Sequence, residues 1–166
     1  MRNARDELHR LVRGSLEQPI ATISRSGACQ RPIWNGPMSE RILIVDNDPE
    51  GSKLLRQLLN LKGCDARVES DSRRALDTAR EFQPDVVMLD YLMPYLDGAE
   101  VAWQFASDPS WRGVRLIVCS ALPREEFVTK LPPANIAIVS KPIDLEALLV
   151  LIRGGAAPTS PGHRWV

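Results

Sequence analysis

The sequence from Arg41 to Arg153 predicts an α/β fold, a doubly wound five-stranded parallel sheet with helices on both faces. Three observations carry that prediction. Apolar runs such as Ile42-Leu-Ile-Val45 and Val86-Val-Met-Leu89 show no polar alternation, so they read as strands covered on both faces, the habit of parallel sheets. These runs alternate with segments whose apolar residues recur at helical spacing, as repeated right-handed crossover units require. Finally, the runs end in polar residues, above all Asp46-Asn47-Asp48 after the first and Asp90 after the third. Open α/β sheets place their chemistry at the carboxyl ends of their strands.

The first strand, Ile42 to Val45, leads to a helix with Asp48 as N-cap and Pro49 at its first position. Leu54, Leu55, Leu58, Leu59 and Leu61 read as one apolar face of that helix, and Gly63 ends it. A short strand around Ala66 to Val68 follows. Asp71 or Ser70 then caps a helix that turns Ala75, Leu76, Ala79 and Phe82 inward. After the Asp90 strand, a helix beginning at Gly98 or Ala99 buries Val101, Ala102 and Phe105 and stops at Asp108-Pro109. The fourth strand is Val114 to Cys119, ending at Ser120-Ala121. Between Pro123 and Ala134 only a poor helix of at most about three turns is expected, because Pro132-Pro133 cannot continue one. The fifth strand, Ile136 to Val139, runs into Ser140-Lys141-Pro142. A last helix, about Asp144 to Arg153, buries Leu145, Leu148, Leu149 and Ile152 before Gly154-Gly155.

Composition narrows the function. At 44% hydrophobic and 25% charged, the 166 residues have an ordinary globular balance. Lys plus Arg and Asp plus Glu are equal at 21 each, so no basic surplus argues for nucleic acid. Three cysteines without a CxxC, and with neither histidine nearby, argue against a disulfide framework or zinc site and for a reducing, cytoplasmic setting. No apolar run approaches the roughly 18 residues of a membrane span, and the Arg-rich start lacks the apolar core of a secretory signal. Residues 1–40 form an extension, with a short amphipathic helix within Asp6 to Leu16 and an unstructured Ser, Gly, Arg and Pro stretch after it. Met38-Ser-Glu-Arg-Ile-Leu has the form of a protein beginning, so residues 1–37 are either foreign sequence or a partner-binding arm. The domain itself is 41–154, and 155–166 are expected to be a flexible tail.

Asp46, Asp90, Ser120 and Lys141 all follow strands, and in a parallel sheet strand ends share one edge. A carboxylate that attacks phosphorus, acids that hold a divalent cation, a hydroxyl and an ammonium make a phosphoryl-transfer set. Ile42 to Asp48, Asp90 with Pro94 and Asp97-Gly98, Ser120-Ala121 and Lys141-Pro142 together resemble the receiver domain of two-component response regulators, over about residues 41–153. The resemblance implies a flavodoxin-like sheet of strand order 2-1-3-4-5. It implies that Asp90 accepts a phosphoryl group from a histidine kinase or phosphotransfer protein, with Ser120 and Lys141 serving the phosphoryl oxygens. Asp46, Asn47, Asp90 and the Leu92 backbone carbonyl would then hold Mg²⁺, and Pro94 and Gly98 would shape the loop.

Three departures from the family pattern stand out. The second acid of the metal pair is Asn47, the aromatic switch position three before the Lys is Ile138, and the fourth family helix is cut short by Pro132-Pro133. Losing an anionic ligand weakens binding of a hard cation. Asp48 is expected to cap its helix rather than replace the lost ligand. A rival reading resembles the haloacid dehalogenase-like phosphatases, with Asp46 as nucleophile and Asp48 as acid/base, but that family wants an acidic pair after the Lys, where only Asp144 and Glu146 follow. An Asp-x-Asp glycosyltransferase would need a longer chain. A receiver-like adaptor that binds without being phosphorylated is the third rival, kept in play by Asn47 and Ile138. The reading adopted is a stand-alone receiver, not an enzyme, that signals to a downstream effector protein without contacting nucleic acid or membrane.

Overall fold

The computed structural model describes residues 39–154; the sequence expectations for residues 1–38 and 155–166 lie outside this range. Five strands, β1 (Arg41–Val45), β2 (Asp65–Glu69), β3 (Val86–Asp90), β4 (Arg115–Ser120) and β5 (Ile136–Ser140), form one parallel sheet in the order β2-β1-β3-β4-β5. Helices α1 (Pro49–Leu61), α2 (Ala75–Phe82) and α3 (Gly98–Ser107) supply the first three crossovers, and α4 (Leu145–Ile152) follows β5. Strand order reverses between β1 and β3, which opens a crevice at the carboxyl edge between them.

Because successive side chains of a strand point to opposite faces, each apolar run feeds two cores. Leu43, Val45, Val87 and Leu89 pack with α2 and α3, whereas Ile42, Ile44, Val86 and Met88 pack with α1 and α4. Capping fixes where the helices begin. The Asp48 carboxylate accepts from the Glu50 amide at 3.1 Å, and Asp144 accepts from the Glu146 and Ala147 amides at 2.9 and 3.1 Å. At α3 the Asp97 carboxylate accepts from the Glu100 amide (2.8 Å) while the Glu100 carboxylate accepts from the Asp97 amide (2.9 Å). Each such cap contributes about 1 kcal/mol.

Two expectations need correction. Leu54 and Leu61 do not join the inner face of α1; they are 58% and 84% exposed, while Leu59 and Ser52 are buried. Helical geometry explains the difference, since Leu54 and Leu61 lie on a stripe turned about 140° from the Ser52, Leu55, Leu59 stripe that meets the sheet. Between β4 and β5 there is no α-helix but two single 3₁₀ turns, Arg124–Glu126 and Val128–Lys130. Pro123 before them and Pro132-Pro133 after them leave too little chain for a stable α-helix, and the backbone closes tighter bonds, Glu126 N to Pro123 O at 3.0 Å and Lys130 N to Phe127 O at 2.9 Å. Phe127, only 1% exposed, anchors this connection by packing on Tyr91 with ring centroids 4.5 Å apart. Tyr91 and Trp111 are core residues, whereas Trp103 and Tyr95 are exposed.

Candidate functional site

Each strand places its last residues at the same edge. The Lys141 ammonium, just past β5, lies 3.2 Å from Asp46 Oδ2 and 3.0 Å from Asp90 Oδ1. The two carboxylates are 14% and 11% exposed, so they are largely removed from water and share one cation. Burial pushes the Asp90 carboxyl above its ordinary range; Lys141 pulls it down in part, and the Asp46 charge adds to the rise. Burial works against the Lys141 ammonium, but the hydrogen bond to Asp90 and the charges of both acids hold its pKa above the usual value. Two acids against one ammonium leave a local excess of negative charge, which suits a second cation.

Ser120 is 2% exposed, and its hydroxyl oxygen accepts from the Leu122 amide at 3.0 Å, which leaves the hydroxyl proton for a ligand. Its strand neighbour Cys119 stands across from Asp90 in the ladder. Burial pushes that thiol up to about 12, so it stays protonated and inert beside the carboxylate. Backbone bonds tie the strand ends together: Tyr91 N to Cys119 O and Lys141 N to Ser120 O, both 2.8 Å. The loop after β3 folds back so tightly that Gly98 N reaches Tyr91 O at 2.9 Å. A Cβ at Gly98 would sit 2.5 Å from the Asp90 carbonyl oxygen, so only glycine allows this approach.

The structure thus brings Asp46, Asp90 and Lys141 into direct contact and sets Ser120 on the adjoining strand end. Asn47 and Leu92 are exposed in the loops after β1 and β3. Asp48 turns its carboxylate to the α1 cap and gives its amide to Asp46 Oδ1 at 2.8 Å, which removes it from the acid/base place that the phosphatase reading needs. Among the described residues no group of three or more acidic, His or Cys side chains converges. The available donors, two carboxylates, an amide oxygen and a main-chain carbonyl, are all hard oxygens and fit Mg²⁺. Sequence reasoning missed Ser72, whose buried hydroxyl reaches the loop after Asp90; nothing in a Ser within a polar turn signals a partner more than twenty residues away.

Comparison with known proteins bears on the family and the fold. The family model described as "Response regulator receiver domain" matches residues 42–153. Response regulator MprA of Mycolicibacterium vanbaalenii is 35% identical over 124 residues, 75% of this chain and 53% of that protein. DNA-binding response regulator MtrA of Mycolicibacterium smegmatis is 36% identical over 84 residues, 51% of this chain and 36% of that protein. The chain therefore spans about half the length, or less, of these curated relatives. Among solved structures, the BeF3-activated N-terminal receiver domain of Klebsiella pneumoniae RstA superposes with a TM-score of 0.61 at 25% identity, over 68% of this chain and 95% of that one. Thermotoga maritima TrrA, solved with Mg²⁺ and BeF, gives 0.62 at 24% identity over 69% and 97%. No helix among the described residues is long and apolar enough to cross a membrane. A 2-1-3-4-5 parallel sheet whose β1, β3 and β5 ends join two acids to one lysine, matched by that family along the whole described domain, makes this chain a member of the response regulator receiver domain family.

Proposed function

We propose that Asp90 accepts a phosphoryl group from a histidine kinase or a phosphotransfer protein, and that the domain passes this state to an effector protein by contact. The observation that carries the reading is the Lys141 ammonium held between Asp90 and Asp46. In the step, an Asp90 oxygen attacks phosphorus, the bond from phosphorus to the donor histidine nitrogen breaks, and its electron pair leaves with the imidazole. An acyl phosphate forms on Asp90. Lys141 offsets the charge of the phosphoryl oxygens and Ser120 donates its hydroxyl proton to one of them. Asp46, Asn47, Asp90 and the Leu92 carbonyl would hold Mg²⁺, which when bound neutralises part of the phosphoryl charge. The chain acts as a phosphoacceptor rather than as an enzyme on a diffusible substrate.

Intact mass spectrometry after incubation with acetyl phosphate and Mg²⁺ tests the reading. One phosphoryl adduct is expected in the wild type and in Asp48→Ala, and none in Asp90→Asn. An adduct absent from the wild type would favour an adaptor that binds without phosphate. One that survives in Asp90→Asn but is lost in Asp46→Asn would favour the phosphatase-like enzyme.

A further inference from the structure

The loop that follows Asp90 is gripped from outside by the turn that follows β2. Ser72, 2% exposed at the start of the 3₁₀ turn Ser72–Arg74, donates its hydroxyl proton to the Pro94 carbonyl at 2.8 Å and accepts from the Leu96 amide at 3.2 Å. The same amide also approaches the Pro94 carbonyl at 3.0 Å, so the hydroxyl is inserted into a tight turn of the loop. Next to it the Arg73 guanidinium lies over the Tyr95 ring, 3.8 Å from the centroid, at a residue whose φ is +72°. Arg73 is itself clamped by Asp71 through bonds of 3.0 and 2.8 Å. The turn is anchored in turn by Glu69, a buried carboxylate that accepts from the Asp71 amide at 3.0 Å and from the Thr78 hydroxyl at 2.6 Å. Three successive loop residues, Pro94, Tyr95 and Leu96, are therefore held by one turn.

We infer that Ser72 is a positioning residue for phosphoryl transfer, its hydroxyl pinning the 94–96 segment so that the main chain between Asp90 and Gly98 keeps one course. This rests on the reading of Asp90 as phosphoacceptor. The loop enters at Tyr91, whose carbonyl accepts from Gly98 N, and its last amide, Asp97 N, is held by Glu100 of α3; between these ends, among the described residues, the side chain that bonds its backbone is Ser72. Leu92, two residues before Pro94, supplies the carbonyl assigned to Mg²⁺, and its direction depends on how firmly the turn beyond it is held. A buried hydroxyl that satisfies a carbonyl and an amide at once cannot be replaced by a methyl without leaving both in a dry site with one partner fewer.

The test uses the full chain and the variants Ser72→Ala and Leu151→Ala, the latter a core change at the opposite end of the sheet, where the Leu151 carbonyl accepts from Arg115. Mg²⁺ alone is titrated while the Leu92 and Leu96 amide NMR signals are followed, and the rate of adduct formation from acetyl phosphate is measured at a temperature where all three proteins are folded. Ser72→Ala is expected to raise the Mg²⁺ midpoint about five- to tenfold and to broaden the Leu96 signal. Leu151→Ala is expected to lower the melting temperature at least as much and leave the midpoint unchanged. Equal midpoints in Ser72→Ala and wild type, with a wild type that takes up phosphate, would overturn the positioning role alone. A wild type that takes up no phosphate would overturn it together with the phosphoacceptor reading. Equal changes in both variants would show that Ser72 acts through stability only.

Discussion

Asn47 is the residue at which this chain parts most sharply from a strong metal site. Its neighbour Asp46 is already engaged by Lys141 and by the Asp48 amide, so the uncharged amide at 47 leaves Mg²⁺ with one formal charge fewer than a paired acid would give. Asn47→Asp should tighten Mg²⁺ by about 1–2 kcal/mol, roughly five- to thirtyfold, after the repulsion it adds toward Asp46 and Asp90. Fluorescence titration with Mg²⁺ checks this; equal affinity would mean that position 47 takes no part. Leu92 and Leu122, in the loops that follow β3 and β4, carry aliphatic side chains unable to orient a water molecule. Hydrolysis of the phosphorylated form should accordingly be slow. The double variant Leu92→Asn with Leu122→Glu is expected to speed loss of the phosphoryl group at least about tenfold, since a polar group aligned on the attacking water contributes on the order of 10² or more. An unchanged decay rate of the adduct would contradict this.

Two elements carry testable structural arguments. The connection from β4 to β5 has only short-range turn bonds of its own, so its position depends on Phe127 buried against Tyr91 and on Trp103, whose indole nitrogen donates to the Lys130 carbonyl at 2.9 Å. Phe127→Ala should cost about 3–4 kcal/mol in chemical denaturation, well above a surface change. The second element is the β2 end with α2, joined by Glu69 and Thr78. Burial pushes the Glu69 carboxyl up, yet the Thr78 hydroxyl, the Asp71 amide and Arg74 together hold it below its ordinary value. A carboxyl lowered by folding stabilises the protein above its unfolded value, and that stability is lost as the pH falls through the folded value. Thr78→Val should therefore lower stability by about 2 kcal/mol at neutral pH, raise the midpoint of acid unfolding, and lose its effect once the pH is below both values.

At the scale of the molecule, the site exists only because the sheet brings together residues as distant as Asp46 and Lys141, 95 positions apart in the chain. This part was legible in the sequence for a physical reason. Uninterrupted apolar runs mark buried parallel strands, and the polar residue ending each run must lie at the common edge. The α1 start capped by Asp48 was legible for a similar reason, because a cap needs only local geometry, and the α3 and α4 starts fell within about a residue of those expected, although their Asp97 and Asp144 caps were not read. The facing of Leu54 and Leu61 was not, since five leucines on one helix cannot say which stripe meets the sheet. Nor was the division of 124–130 into two 3₁₀ turns: the flanking prolines limit any helix there, but the burial of Phe127 against Tyr91 pairs residues 36 positions apart. Ser72 lay beyond reach because its role is defined by residues 22 and 24 positions away.

The central claim is that Asp90 itself carries the phosphoryl group, and chemical trapping reads it at the residue. Borohydride reduces an aspartyl phosphate to homoserine and leaves free carboxylates unchanged. After incubation of the full chain with acetyl phosphate and Mg²⁺, reduction and peptide mass spectrometry should place homoserine at position 90, dependent on Mg²⁺. Homoserine at position 46, or none in a fully folded sample, would contradict the account.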